Sequence, residues 1–235
     1  MYWDYYILGI ILLPGLILGI IAQSKVSYNY SKYSKVLSKK GYTGAQVARV
    51  ILDSAKLFDY KVEKIGGQLT DNFNPRTKVV SLSSEVYDGS SVASLGIACH
   101  EVGHALQYAN NYVPIKIRNT MIKTGNITNT LLWPIIIIGL ILNISVNSTY
   151  GLIFMYAGVI FFGLTALIDL VTLPVEYNAS RRAKTILIKS EICDEEEMEG
   201  VNKVLNSAAL TYVAALVVSI LNLLRFLMLF ARRDD

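Results

Sequence analysis

Long apolar segments constrain the fold of this chain more than any other feature of its sequence. Four of them occur, at residues 5–22, 131–146, 150–171 and 208–230. A helix of about 20 residues is about 30 Å long, which matches the hydrocarbon thickness of a bilayer. Each segment therefore predicts a membrane-spanning helix, and the polar break between the second and third predicts a helical hairpin.

The composition agrees with a chain that spends much of its length in lipid. Hydrophobic residues make up 53% of the 235 positions and charged residues only 17%. The net charge of +4 is not gathered into a basic stripe interleaved with aromatic residues, so we expect no nucleic-acid partner. The two cysteines, Cys99 and Cys193, cannot form a disulfide framework and have no metal-binding CxxC spacing.

The polar sequence between the apolar segments predicts short helices and strands. A capping box at Thr43–Gln46 indicates a helix over residues 43–57, and a second helix is expected over 91–109. Residues 62–69 and 77–83 are predicted strands, separated by a turn at 71–75.

One short motif in the second predicted helix is suited to metal chemistry. It reads His100-Glu101-Val102-Gly103-His104, and it contains both histidines of the chain. Residues four apart share a helix face, so both imidazoles can bind one zinc ion. Glu101 can reach a water molecule at the open coordination position and act as its general base. The less specific interpretations are a packed histidine pair and a zinc site without catalysis.

Zinc requires a third protein ligand, and the chain has no third histidine. Cys99 lies next to His100 and points away from the metal face, so a carboxylate is favoured. Glu176 opens the polar segment that follows the predicted hairpin. Two membrane crossings between His100 and Glu176 return the chain to the same side, as a shared site requires. The sequence therefore predicts one catalytic zinc held by His100, His104 and Glu176.

The longer context of these residues resembles a known family. Residues 98–107 read Ala-Cys-His-Glu-Val-Gly-His-Ala-Leu-Gln, and residues 173–183 read Leu-Pro-Val-Glu-Tyr-Asn-Ala-Ser-Arg-Arg-Ala. Together with residues 72–83 and 85–87, these stretches are similar to the bacterial neutral zinc metallopeptidases of the YugP type. More distantly, they resemble the HtpX and CAAX-processing membrane zinc proteases.

The resemblance implies a polypeptide substrate, a bacterial plasma membrane and two details of the site. In the wider group an aspartate, expected to orient a ligand histidine, stands where this chain has Ser180, which carries no charge. An edge strand that pairs with the extended substrate is also implied, and residues 77–83 are its candidate. The oxyanion donor stays open among Tyr177, Arg181 and other tyrosines.

These expectations combine into a mainly α membrane protein with about four transmembrane helices and a small α+β, zincin-like catalytic portion. The parts are an N-terminal anchor (1–22), the main catalytic portion (23–130), a transmembrane hairpin (131–171), a catalytic segment with the third ligand (172–207) and a C-terminal transmembrane helix with its tail (208–235). The oligomeric state is left open.

Basic residues flank the catalytic parts. Lysines follow the first apolar segment and basic residues occupy 181–189, whereas the hairpin turn has no positive charge. The positive-inside rule then places the catalytic portion in the cytoplasm, although Arg232 and Arg233 argue the other way.

Two other functions fit part of the sequence. A zinc-stabilised membrane scaffold or chaperone-like binding protein would keep the metal ligands without using Glu101. A transporter or channel subunit would usually place ionisable groups well inside its spans, whereas Asp169 and Arg225 lie near segment ends.

Overall fold

The computed structural model of the protein describes residues 9–146 and 149–231. The described chain is mainly helical with one small sheet. Its helices are α1 (Leu13–Tyr33), α2 (Gly44–Ser54), α3 (Ser84–Tyr87), α4 (Val92–Ala109), α5 (Val113–Val146), α6 (Thr149–Lys189) and α7 (Glu195–Ala231), and its strands are β1 (Lys61–Ile65), β2 (Asn72–Asn74) and β3 (Val79–Ser83).

The two helices predicted from the polar sequence are present, and their caps explain where they begin. Thr43 accepts a hydrogen bond from the backbone N–H of Gln46, and the Gln46 side chain bonds the backbone N–H of Thr43, which completes the predicted capping box of α2. Ser91 caps α4 by accepting from the N–H of Ser94.

The sheet differs from the sequence prediction in two ways. Residues 72–74, predicted as part of a turn, form strand β2 because they pair antiparallel with β3 from Asn72–Ser81 to Asn74–Val79. On its other side β3 pairs in parallel with β1, so the strand order is β1-β3-β2. The expectation that residues 77–83 form an edge strand is therefore wrong, because both sides of β3 are occupied.

The chain divides into two compact units. The first contains residues up to Ile20, Lys116–Leu173 and the residues from Tyr212 onward, and the second contains Ile21–Ile115 and Pro174–Thr211. Residues 116–130 belong to the first unit. Helix α6 is continuous through Leu173 and Pro174, so the change from apolar to polar sequence occurs within one helix.

The first unit holds the apolar helical segments, and some of its helices contact one another. Asp169 of α6 accepts a hydrogen bond from the Ser219 hydroxyl of α7 at 2.5 Å. Phe162 and Phe226 stack with their ring centroids 4.6 Å apart. A Cβ on Gly15 would lie 2.9 Å from Val218, so α1 packs closely on α7 there.

Two segments of the described chain, Tyr156–Lys189 and Glu195–Met228, are long and apolar enough to cross a membrane. This agrees with a membrane protein, whereas the predicted number of four spans remains an expectation. The start of the N-terminal segment (residues 5–8), residues 147–148 in the hairpin break and the arginines at 232–233 lie outside the described residues.

The second unit has one hydrophobic core, in which α4 is central. Its largest fully buried apolar side chains include Leu52 of α2, Leu82 of β3 and Leu95 of α4. Almost all of α4 from Val92 to Ala105 is buried. A helix enclosed on most sides can carry polar groups only where they find hydrogen-bonding or charged partners, so the histidines within α4 require such partners.

Candidate metal centre

The predicted ligands come together in the second unit. His100 and His104 lie one turn apart on α4, and Glu176 lies on the polar part of α6. The side chains of His100 and His104 are 15% and 10% exposed, and that of Glu176 is 2% exposed. A carboxylate with so little access to water requires cationic or hydrogen-bonding partners, and both imidazoles supply them.

The distances among the three side chains fit a zinc site. One carboxylate oxygen, Oε2 of Glu176, lies 3.2 Å from His100 Nε2 and 3.4 Å from His104 Nε2. The ligand atoms all lie within 4.8 Å of one another. A charge-assisted N–H···O bond is about 2.7–2.9 Å, whereas ligands about 2.0–2.1 Å from a tetrahedral zinc are about 3.3 Å apart. The two distances from Glu176 Oε2 to the imidazole nitrogens therefore match edges of a coordination tetrahedron better than direct ion pairs.

The remaining nitrogen of each imidazole has its own partner. Nδ1 of His100 lies 3.1 Å from the Ser180 hydroxyl, and Nδ1 of His104 lies 3.0 Å from Oε1 of Gln107. Both outer nitrogens are thus occupied, which leaves both Nε2 atoms directed at Glu176. Ser180 contacts His100 as the aspartate of the wider group is expected to do, although with a neutral group.

Gln107 is the site residue that the sequence reasoning did not assign. It is fully buried, and its Nε2 donates to the Val175 carbonyl at 2.8 Å and to Oδ1 of Asn178 at 3.0 Å. A signal was available, because Gln107 lies three residues after His104 and so shares its helix face. Its partners on α6 could not be read from the sequence.

Gly103 allows the two ligand-bearing helices to approach each other. A Cβ at this position would lie 2.7 Å from the Ala179 carbonyl oxygen and 3.2 Å from the carbonyl carbon. The obstacle is backbone, which cannot rotate away. The glycine inside the motif therefore has a packing function, since it lets His100 and His104 reach Glu176.

The other predicted site residues are placed as follows. Glu101 is 9% exposed on α4, between the two histidines in sequence. Tyr177 and Arg181 follow Glu176 closely in the sequence, and both are exposed to solvent, Tyr177 to 50%. The general-base role of Glu101 and the choice of an oxyanion donor stay predictions.

Cys99 precedes His100 but lies in the hydrophobic core. Burial raises the pKa of its thiol well above the ordinary value, and proximity to Cys193 adds to the effect. A thiol held in its neutral form is a poor nucleophile and a poor metal ligand. This agrees with the sequence interpretation, in which Cys99 points away from the metal face.

Comparison with known proteins agrees with the geometry. A family model described as "Putative neutral zinc metallopeptidase" matches residues 8–231. The chain belongs to this family. It is also 44% identical over 218 residues to a Bacillus subtilis (strain 168) protein named "Putative membrane protease YugP", an alignment covering 93% of this chain and 94% of that protein. The family resemblance seen in the sequence is thereby confirmed. No solved structure gives a significant match.

Proposed function

We propose that this protein is an integral-membrane zinc endopeptidase that hydrolyses peptide bonds of membrane or membrane-adjacent proteins. The observation that carries the proposal is the convergence of His100, His104 and Glu176, whose ligand atoms lie within 4.8 Å of one another, with Glu176 Oε2 3.2 Å and 3.4 Å from the two histidine Nε2 atoms. Membership of a zinc metallopeptidase family and a relative named as a membrane protease support it.

The three side chains would hold one zinc ion and leave a fourth position open. When bound, zinc supplies a Lewis acid that activates water and polarises the scissile carbonyl. Glu101 takes the proton of the attacking water and transfers it to the leaving amine. Its small exposure favours this role, because proton transfer is then shielded from bulk solvent.

The membrane arrangement we propose has four spans, at residues 5–22, 131–146, 150–171 and 208–230. The zincin-like catalytic portion is formed by the polar segments between them and lies in the cytoplasm. The lysines that follow the first span and the basic residues at 181–189 support this orientation.

The edge strand that we propose for pairing with the substrate is β2. This strand is at the end of the sheet order, so its outer edge can pair with an extended peptide. Phe73 of β2 lies 6.3 Å, between ring centroids, from Tyr108 of α4, which is one turn beyond His104. A peptide on this edge would therefore lie near the metal-bearing face of α4.

The decisive experiment compares wild type with Glu101→Gln after purification of both in detergent and loading with zinc. Cleavage of an unfolded test protein and of the chain itself is followed on gels, and bound zinc is measured by mass spectrometry. Glu63→Gln is the matched control, because Glu63 is an exposed residue of β1. We expect cleavage by wild type and by Glu63→Gln, and none by Glu101→Gln at unchanged zinc content.

Two results would contradict the proposal. Equal cleavage by wild type and Glu101→Gln would remove Glu101 from the chemistry and point to a contaminating protease. Stoichiometric zinc without cleavage of any tested protein would favour the zinc-stabilised scaffold.

A further inference from the structure

The outer edge of strand β2 is unpaired within the described part of the chain. Residues 72–74 pair with β3 on one side, and β2 ends the strand order. In that part of the chain, no backbone hydrogen bond joins 72–74 to a segment other than β3. An unpaired edge presents N–H and C=O groups that can align an extended main chain, whatever its side chains.

Phe73 is the residue of β2 that faces the core. It is partly buried, whereas Asn72 and Asn74 on either side are exposed. It lies directly opposite Val80 of β3, which is fully buried. Directly paired residues of neighbouring strands point to the same face of a sheet. A peptide residue opposite Phe73 on the outer edge would therefore point to the face of Phe73, and its two neighbours to the other face.

Aromatic rings surround the position to which that peptide side chain would point. Tyr60 stacks on Phe73 with the ring centroids 5.9 Å apart and an angle of 8° between the planes. Tyr108 of α4 lies 6.3 Å from Phe73, tilted by 59°. Tyr60 is only 4% exposed, whereas Phe73 and Tyr108 are partly exposed. An apolar side chain that covers these two rings would remove apolar surface from water, which is favourable.

The charged groups beside these rings neutralise each other. Lys78 Nζ lies 5.6 Å from the ring centroid of Tyr60, and it forms an ion pair with Asp59 at 2.5 Å. Because Lys78 is already paired, it offers little attraction to an acidic side chain of a peptide. The surroundings therefore favour an uncharged, apolar side chain.

We propose that Phe73 and Tyr108 form a subsite that selects one apolar side chain of an extended peptide bound along β2. This rests on the proposed function, because the peptide is the substrate that β2 aligns. Tyr108 lies one turn beyond His104 and shares its helix face. The selected side chain is thus held at a fixed distance from the metal ligands, and cleavage occurs a fixed number of residues from it.

A peptide fits this edge better than a second copy of the chain. Strand β2 has only three residues, so two copies paired through it would share few backbone hydrogen bonds. A peptide gains affinity from the same few bonds and also from its side chain in the subsite. Backbone pairing for affinity with pockets for alternate side chains is a common mode of peptide recognition.

The first test measures peptide binding without cleavage. The full chain in detergent carries Glu101→Gln, and zinc is added. The probes are fluorescent octapeptides of threonine and glutamine with one variable central residue, because threonine favours extended backbone. We expect the peptide with central leucine to bind about tenfold more tightly than those with alanine or aspartate. Equal affinities for leucine and aspartate, or no binding of either, would overturn the proposal.

Variants of the two rings test whether they cause this preference. Phe73→Ala and Tyr108→Ala should each reduce the ratio of leucine to aspartate affinity about tenfold, whereas Tyr108→Phe, which keeps the ring, should preserve it. Tyr42→Ala is the control, because Tyr42 is exposed and lies before α2. A general loosening of the fold would weaken all peptides alike. An unchanged ratio in Tyr108→Ala would therefore overturn the proposal.

The second test uses the chain with Glu101 intact and maps the products by mass spectrometry. Moving leucine by one position along the peptide should move the cleaved bond by one position. Cleavage of all peptides at equal rates would overturn the subsite and leave the proposed function standing. If nothing is cleaved, but leucine is preferred and Tyr108→Ala loses the preference, the subsite stands and the endopeptidase proposal fails. A stable dimer that excludes every peptide would identify a second copy as the occupant and overturn the subsite.

Discussion

Replacing Gly103 with alanine tests whether the close approach of α4 and α6 sets the ligand geometry. The new Cβ would lie 2.7 Å from the Ala179 carbonyl oxygen and 3.2 Å from both its carbonyl carbon and Cα. Carbon atoms make favourable contact at about 3.5–4.0 Å. Since all three of these atoms belong to the backbone, the helices must separate by about 0.5 Å or more. Metal–ligand distances tolerate only about 0.2 Å.

Stability and metal affinity should respond differently to this change. Alanine gains about 1 kcal/mol over glycine in a helix interior, whereas overpacking costs about 1–3 kcal/mol, so the free energy of unfolding should fall by at most about 2 kcal/mol. Zinc affinity should fall about 10- to 100-fold, because His100 and His104 move with α4 while Glu176 stays with α6.

The assay pairs thermal unfolding of the metal-free protein with chelator competition for zinc. Gly96→Ala is the control on the same helix, because its Cβ would lie 3.4 Å from Val201 Cγ1, an ordinary contact. We expect Gly96→Ala to bind zinc like wild type. Wild-type zinc affinity in Gly103→Ala would refute the argument that this helix contact positions the ligands.

Three further predictions concern the same unit. Ser180→Ala should weaken zinc binding about tenfold, because it removes the partner of His100 Nδ1. Ser180→Asp should strengthen zinc binding, because a carboxylate makes the imidazole a more basic ligand. Equal zinc affinities of the wild type and the two variants in chelator competition would contradict this. Burial raises the pKa of the Asp71 carboxyl despite hydrogen bonds from Ser83, so the contribution of Asp71 to stability should decrease as pH rises from about 4 through the raised pKa. In thermal melts at stepped pH, Asp71→Asn should therefore gain stability relative to wild type over this range. Removing zinc should lower the melting temperature, because zinc at 100 times its dissociation constant adds about 2.7 kcal/mol to the free energy of unfolding. Glu176→Gln should lose most of this zinc-dependent increase in melting temperature.

Features that depend on residues close together in the sequence were predicted correctly. The capping box at Thr43 and the cap at Ser91 each involve residues three apart, so their hydrogen bonds form wherever the local backbone is helical. The pairing of His100 and His104 on one face follows in the same way from the helical repeat. Glu176 was a longer inference: the structure brings its carboxylate to both histidines, and its role as a zinc ligand stays a prediction.

Features that depend on distant partners could not be read from the sequence. Residues 72–74 contain turn-forming asparagines and become a strand only because β3 offers a pairing edge. The same pairing makes β3 central, which moves the expected substrate edge to β2. Ladder hydrogen bonds depend on which strands meet, and local propensity does not determine that.

The sequence by itself determined the chemistry that is predicted for this protein, because metal ligation and membrane insertion depend on residue type and local spacing. The motif at 100–104, the carboxylate at 176 and the apolar segments are sufficient to predict a membrane zinc peptidase. Only the tertiary structure decided how the ligands are held. The contact of Gly103 with Ala179 and the hydrogen bond from Gln107 to Asn178 join residues more than about 70 positions apart, and such contacts arise only when two helices pack.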